Sequence, residues 1–207
     1  SLTLLHLLHH LQSYAPVRFK LAVATVDPCI EGFDPSPLKE YLVQLGIDYF
    51  YQKQQIAEQA AENMSGDSFC SYCSRMRRGI LYSLARKNNC NKLVLAQHLD
   101  DLAESFMMSV FHGGTLRTMK ASYTIDAGDL QVIRPLVYVR ERQLASFAEQ
   151  AQLPVIADNC PACFRQPTQR QHMKLLLQQE EKSTPHLFAN MLHAMRPLMG
   201  EKENQKL

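Results

Sequence analysis

The chain has 207 residues, of which 46% are hydrophobic and 20% are charged, and its formal net charge is +2. This composition predicts a soluble globular protein of one domain, or of one domain with a small appendage. No apolar run reaches the roughly 18 residues that a membrane span needs, and no basic segment precedes an apolar stretch at the start, so we expect neither a membrane protein nor a signal peptide. The small net charge is compatible with nucleic acid binding, because a local basic patch is enough to bind phosphate.

Helices and short strands are predicted to alternate along the chain. Apolar spacing, caps and glycine or proline breaks predict helices over 1–12, 35–45, from about 54, 75–88, 100–111, 141–151 and from 166 onward. Short apolar runs predict strands over 19–26, 47–51, 93–96, 131–133 and 154–156. Such alternation implies an α/β fold with a doubly wound parallel sheet covered on both faces, whose ligands bind beyond the carboxyl ends of the strands.

The order of the elements also bears on domain organisation. A doubly wound fold normally begins with a strand, whereas this sequence opens on a helix, so we expect the first strand of the fold to be absent from it. A catalytic domain is predicted over 1–165 and a helical extension over 166–207. The apolar face of that extension, from Phe188 to Met199, could pair with a second subunit and form a homodimer.

The chain contains six cysteines, four of which form two Cys-x-x-Cys pairs, Cys70 with Cys73 and Cys160 with Cys163. A chain without an export signal is expected in the reducing cytoplasm, where such pairs bind metal or do redox chemistry more often than they form disulfides. The spacing lets both thiolates of a pair reach one metal site. Two pairs could therefore complete a tetrahedral zinc site or hold an iron–sulfur cluster, and the spacing alone leaves both open.

Basic residues are concentrated in two segments. Arg75, Arg77 and Arg78 directly follow the first cysteine pair, and Arg117 and Lys120 lie in a loop opened by two glycines. Arginine suits phosphate because its planar fork can donate to two oxygens at once. Each segment is predicted either to contact an RNA backbone or to form an ordinary solvated surface.

A polar turn follows the predicted strand over 93–96. It contains Ala96, His98, Asp100 and Asp101, and it opens the next helix. Two acids in the first turn of a helix could simply cap it, since they are favoured by the helix dipole. A histidine and two carboxylates at the carboxyl end of a strand could equally polarise a nucleotide or hold Mg²⁺. Arg134, which ends another predicted strand, could face the same ligand.

The order of these motifs resembles a known family. The motifs are Cys-x-x-Cys-Ser-Arg-x-Arg-Arg-Gly, His-x-Asp-Asp, Gly-Gly, Ile-Arg-Pro-Leu and a second Cys-x-x-Cys followed by Gln-Pro. Together they resemble the tRNA 2-thiocytidine synthetase group of PP-loop ATPases, over nearly the whole chain. Ser1-Leu-Thr-Leu-Leu looks like the end of that family's Ser-Gly-Gly-x-Asp-Ser ATP loop, most of which is absent here, and Ala96-Gln97 stands where the family usually has Gly-His.

The resemblance implies an adenine nucleotide α hydrolase-like fold and an ATP-dependent enzyme. The expected reaction adenylylates a cytidine carbonyl of tRNA and then delivers sulfur through a [4Fe–4S] cluster held by three cysteines. Cys70 and Cys73 match the first two ligands. Cys163 matches the third because Gln166-Pro167 follows it at the family's spacing, and Cys160 is the alternative. A sulfur donor such as a cysteine desulfurase is the implied partner.

The resemblance also assigns roles to single residues. Asp100, Asp101 and Cys163 are expected to be catalytic. ATP is expected to contact Ser1, Asp27, Ala96, His98 and Arg134, and the tRNA to contact Arg75, Arg77, Arg78, Arg117 and Lys120. Two other functions stay open at this point. One is a zinc-stapled RNA-binding or structural module without catalysis; the other is a different PP-loop ligase, such as a lysidine synthetase, which does not need paired cysteines.

Overall fold

The computed structural model describes residues 1–56, 58–59, 69–156 and 168–200, with the backbone alone at 69 and 70. The chain divides into two compact units. The first unit comprises Leu2–Asn91 and Ala148–Gln166, and the second comprises Ser1, Lys92–Phe147 and Pro167–Leu207. Among the described residues, no helix combines the length and the apolarity that crossing a membrane requires.

The first unit is built on two parallel strands. Its elements in chain order are α1 (Leu2–Leu11), β1 (Ala22–Asp27), α2 (Ser36–Gln44), β2 (Asp48–Lys53) and α3 (Phe69–Lys87). The strands pair in register from Ala22 with Asp48 to Asp27 with Lys53. Leucines spaced along α1 and α2 bury one face of each helix, and they form a core with apolar residues of the strands.

The second unit contains a three-stranded sheet and a helical layer. Its strands are β3 (Lys92–Val94), β4 (Ser122–Thr124) and β5 (Gln131–Ile133), in the order β3-β5-β4. Strand β5 runs parallel to β3 and antiparallel to β4. The remaining elements are α4 (Leu99–Gly113), α5 (Glu141–Gln150, which continues into the first unit), α6 (Gln169–Ser183), α7 (Leu187–Met195) and a short 3₁₀ helix (Arg196–Met199).

The parallel pairing that the sequence predicts is present, but several boundaries differ. The predicted strand over 154–156 is not a strand, because Pro154 has no N–H to donate and Val155 is exposed. The helix predicted over 75–88 begins at Phe69, so Cys70 and Cys73 lie within α3 rather than before it. Strand β4 was not predicted, since three residues are too short to show an alternating pattern.

The C-terminal helices pack against α4. Leu177 of α6 and Met195 of α7 are buried with Leu102 of α4 in one hydrophobic core. Helices α6 and α7 belong to the same compact unit as α4, and the domain boundary predicted at 166 stays a prediction. Phe188 and Met199, whose apolar side chains led to the homodimer prediction, are buried in that core as well.

Candidate active site

The turn between β3 and α4 forms a capping box. His98 is the N-cap residue of α4, and its ring Nδ1 accepts a hydrogen bond from the backbone N–H of Asp101 at 3.4 Å. In return, Oδ2 of Asp101 accepts the backbone N–H of His98 at 2.9 Å. Two N–H groups that a helix start leaves without a partner are thereby satisfied, so the capping role that the sequence left open is present in the structure.

Asp100 is held by Arg140, which directly precedes α5. Arg140 donates from Nε and Nη2 to its carboxylate at 3.1 to 3.2 Å, and the backbone N–H of Glu141 donates to Oδ2 at 2.7 Å. Burial works to raise the pKa of Asp100, but these hydrogen bonds and the charge of Arg140 outweigh it and lower the pKa. Asp100 is therefore an ionised carboxylate with both oxygens occupied.

Asp101 has a different partner. Its Oδ1 pairs with Nη2 of Arg170, at the start of α6, and Nε of the same arginine donates to Glu104 at 2.7 Å. The Glu104 side chain is only 5% exposed, and this burial raises its pKa against the opposing effect of Arg170. One guanidinium thus joins two carboxylates that lie three positions apart on α4.

Arg134 is buried and acts as a brace. Its Nε donates to Oε1 of Gln97 at 2.9 Å, its Nη1 donates to the carbonyl of Lys120 at 2.7 Å, and its guanidinium lies 5.5 Å from the centre of the Tyr123 ring. The polar turn, the end of β5 and the loop before β4 are connected in this way. Ala96, in the same turn, is half-buried.

Asp27, the last residue of β1, is buried in the first unit. Its Oδ1 accepts the backbone N–H of Cys29 at 2.7 Å, and its Oδ2 accepts the hydroxyl of Tyr51. Burial, together with the hydrogen bond and charge of Asp27, raises the pKa of Tyr51. One oxygen of Asp27 therefore holds the turn that follows β1, and the other connects the end of β1 to β2.

The first cysteine pair lies in the first turns of α3. Cys70 and Cys73 are three positions apart, a spacing that places two residues on the same side of a helix, and Cys73 is half-buried. Cys160 and Cys163 lie outside the described residues. Within the described part of the chain, no three His, Cys, Asp or Glu side chains converge as a metal site requires. The cluster ligands stay a prediction.

The basic residues fall into two groups. Arg75 and Arg77 are exposed on α3 of the first unit, and Arg78 is half-buried there. Arg117 and Lys120 are exposed in the loop between α4 and β4 of the second unit. Ser1, which directly precedes α1, is exposed too. Of the predicted ATP-site residues, His98 is joined to Asp101 by contacts within one unit, whereas Asp27 belongs to the other.

Comparison with known proteins identifies the family. A family model described as a PP-loop domain matches residues 1–177. The tRNA-cytidine(32) 2-sulfurtransferases of Geobacter sulfurreducens and Syntrophotalea carbinolica are each 39% identical over 196 residues, covering 94% of this chain and 76% of the relative. The chain belongs to the tRNA-cytidine 2-sulfurtransferase group of the PP-loop family.

A solved structure supports the fold of this sulfurtransferase. The U34-tRNA thiolase NcsA from Methanococcus maripaludis, with its [4Fe–4S] cluster, matches with a TM-score of 0.76 at 21% identity. The match covers 100% of this chain and 70% of the thiolase. The predicted family, the adenine nucleotide α hydrolase-like fold and the enzyme class are confirmed.

Sequence reasoning missed four residues of this candidate site. Arg140, Arg170, Glu104 and Glu181 form the ion pairs around the Asp-Asp turn, although none of them belongs to a motif that the sequence singled out. Glu104 gave the only signal: it is an acid three positions after Asp101 on an amphipathic helix, where it falls on the buried side.

Proposed function

We propose that this sulfurtransferase uses ATP to replace the 2-oxygen of a tRNA cytidine with sulfur. The carbonyl oxygen attacks the α-phosphorus of ATP and pyrophosphate leaves. A sulfur nucleophile then attacks the carbon of that carbonyl, and AMP departs with the original oxygen. We further propose that the reaction takes place in the cytoplasm and that the sulfur comes from a donor such as a cysteine desulfurase.

The arginine-held Asp-Asp turn is the observation that carries the proposal. Its capping box fixes the first turn of α4, and the dipole of a helix N-terminus favours a negatively charged phosphate. A rigid polar turn of this kind suits a nucleotide-binding enzyme, whereas a zinc-stapled structural module does not require one. The set of contacts around Asp100 and Asp101 therefore favours catalysis.

The two acids differ in how tightly they are held. The side chain of Arg140, which binds Asp100, is 14% exposed, whereas that of Arg170, which binds Asp101, is 52% exposed. We therefore assign Asp100 to positioning the turn and keep Asp101 as the candidate catalytic acid. Each carboxylate oxygen has two lone pairs, so Asp101 could still hold Mg²⁺, directly or through a water, beside the ATP phosphates. Ser1, Asp27, Ala96, His98 and Arg134 stay candidates for the ATP site.

The cysteines fit an iron–sulfur cluster by their chemistry. Clusters take thiolate ligands, and Cys70 and Cys73, three positions apart in the sequence, are proposed to supply two of them. We propose Cys163 as the third ligand, with Cys160 as the alternative. When bound, a cluster with an open iron would present sulfur to the activated base, and Cys163 would hold the cluster at that position. The [4Fe–4S] cluster named for NcsA supports a cluster in this chain, and the choice of Cys163 rests on the spacing of Gln166-Pro167 alone.

One reconstitution tests the function. Protein purified without oxygen is mixed with tRNA, Mg²⁺, ATP, cysteine and a cysteine desulfurase, and 2-thiocytidine is measured by mass spectrometry. We expect product only when ATP is present, together with broad visible absorption from the protein. Cys163→Ser should abolish product and colour while Cys160→Ser keeps both. A colourless zinc protein that thiolates nothing would instead support the structural module.

The basic residues are proposed to hold the tRNA. Each phosphate contact releases counterions, so affinity should fall with salt by a log–log slope of about −0.7 to −0.9 per contact. Filter binding at several salt concentrations should show a lower affinity and a shallower slope for Arg77→Ala/Arg78→Ala. The matched control is Arg18→Ala/Lys20→Ala, two exposed cations of the same unit. Equal effects in the two double variants would mean that Arg77 and Arg78 contribute only general charge.

A further inference from the structure

Arg170 occupies an unusual position for a basic residue. It is the second residue of α6, whose N-cap Thr168 accepts the backbone N–H of Gln171 at 3.1 Å. A positive charge in the first turn opposes the helix dipole, and this first turn contains no acid to compensate it. The two carboxylates of α4 that contact Arg170 offset this cost.

Glu104 anchors the guanidinium. Its carboxylate is nearly inaccessible and accepts from Nε of Arg170 at 2.7 Å. A buried carboxylate needs a counter-charge, because leaving it unpaired costs several kcal/mol or forces it to take up a proton. The pair therefore anchors Nε of the guanidinium, and Nη2 of the same group contacts a second carboxylate.

The second carboxylate in contact with Arg170 is Asp101. Its Oδ1 pairs with Arg170 while its Oδ2 accepts the His98 N–H at 2.9 Å, so the two oxygens are held from opposite sides. We propose that Arg170 is a positioning residue of the thiolation reaction, which holds the Asp101 carboxylate in place through a guanidinium anchored by Glu104. This inference rests on the proposed function of the turn.

A pair of variants separates positioning from simple stability. Arg170→Ala leaves Glu104 buried without a partner, so it should lower both the melting temperature and the thiolation rate. Adding Glu104→Gln removes the stranded charge and should restore most of the melting temperature. If Arg170 positions Asp101, kcat of this double variant stays about 10- to 100-fold below wild type, with an unchanged KM for tRNA. Recovery of kcat together with stability would overturn the proposal.

Hydrogen exchange gives a readout that does not depend on activity. The amide of His98 is protected by Asp101, whereas the amide of Leu102 donates to the carbonyl of His98 at 3.2 Å. In Arg170→Ala/Glu104→Gln we expect about tenfold faster exchange at His98, the effect of weakening one hydrogen bond, and no change at Leu102. Unchanged exchange at His98 would overturn the proposal whether or not the protein thiolates tRNA. A wild-type protein that forms no 2-thiocytidine would refute the proposed function alone.

Discussion

Arg140 donates to both carboxylate oxygens of Asp100, at 3.1 to 3.2 Å, and the same guanidinium donates to both oxygens of Glu181, at 2.6 and 3.0 Å. Its guanidinium carbon also lies 3.3 Å from the centre of the Phe188 ring, a cation–π arrangement. A single side chain therefore connects the start of α4 with α6 and α7. Removing it would leave Asp100 without its guanidinium partner and Glu181 with only the exposed Arg142.

Arg140→Ala should destabilise the protein by about 3 kcal/mol, because removing one member of a largely buried ion pair strands the other. The measurement is urea unfolding at neutral pH. The control is Arg142→Ala: the Arg142 side chain is 72% exposed and lies 3.6 Å from Glu181, so we expect a change within about 0.5 kcal/mol. Similar losses in the two variants would show that Arg140 stabilises no more than a surface charge does.

The pKa of Asp100 and that of Glu181 are both lowered, the latter mainly by the hydrogen bond from Arg140. A lowered pKa contributes stability above the ordinary carboxyl value, about 4, and that stability is lost as pH falls through the folded pKa. Asp100→Asn removes one of these groups. We expect the unfolding free energies of wild type and Asp100→Asn to converge as pH falls below about 4. Glu104 is present in both proteins, so it affects both plots of unfolding free energy against pH alike. Plots that stay parallel below about pH 4 would therefore contradict the expectation.

Asp101→Asn separates capping from charge. An amide oxygen can still accept the His98 N–H, so we expect the stability to change by less than about 1 kcal/mol. The ion pair with Arg170 is lost, and the thiolation rate should fall at least about tenfold. Asp101→Ala should lose the cap as well and be less stable than Asp101→Asn. A fully active Asp101→Asn would remove Asp101 from the catalytic residues.

Two glycines should respond oppositely to alanine. Gly114 ends α4 with a φ of +56°, a left-handed conformation that strains any side chain, so Gly114→Ala should cost about 1 kcal/mol although a Cβ would meet no atom within 4 Å. Gly79 lies inside α3, where a Cβ meets nothing within 4 Å either. Gly79→Ala should stabilise by about 0.5 to 1 kcal/mol. Thermal unfolding compares them, and a shift of the same sign in both would contradict the expectation.

Local patterns predicted the alternating elements and the capping role of the Asp-Asp turn. Strand β5 was predicted with its observed bounds, because the short run Gln131-Val-Ile ends directly before Arg134-Pro135. The ion pairs were not predictable in the same way. Asp100 and Arg140 are 40 positions apart, and Asp101 and Arg170 are 69 apart. No local sequence pattern distinguishes an arginine that forms an ion pair in the folded chain from one that stays exposed to solvent.

Arg134 illustrates the same limit. Its place after a strand predicted a side chain that faces a ligand, whereas in the structure the side chain is buried and donates to Gln97 and to the carbonyl of Lys120. Its donors Nε and Nη1 therefore hold the turn and the neighbouring loop together. The sequence predicted where the strand ends, but the direction and partners of the side chain depend on a loop whose conformation no pattern encodes.

The ion pairs around the Asp-Asp turn constrain how such enzymes can be recombined. Asp100 and Glu104 are encoded before the second cysteine pair, and Arg170 and Glu181 after it. A chimera of two relatives that is joined between those positions would take the two partners of an ion pair from different proteins. Chimeras that keep both partners of each pair from one relative should fold. Chimeras whose junction brings together partners that do not match should express poorly, whatever cysteines they carry.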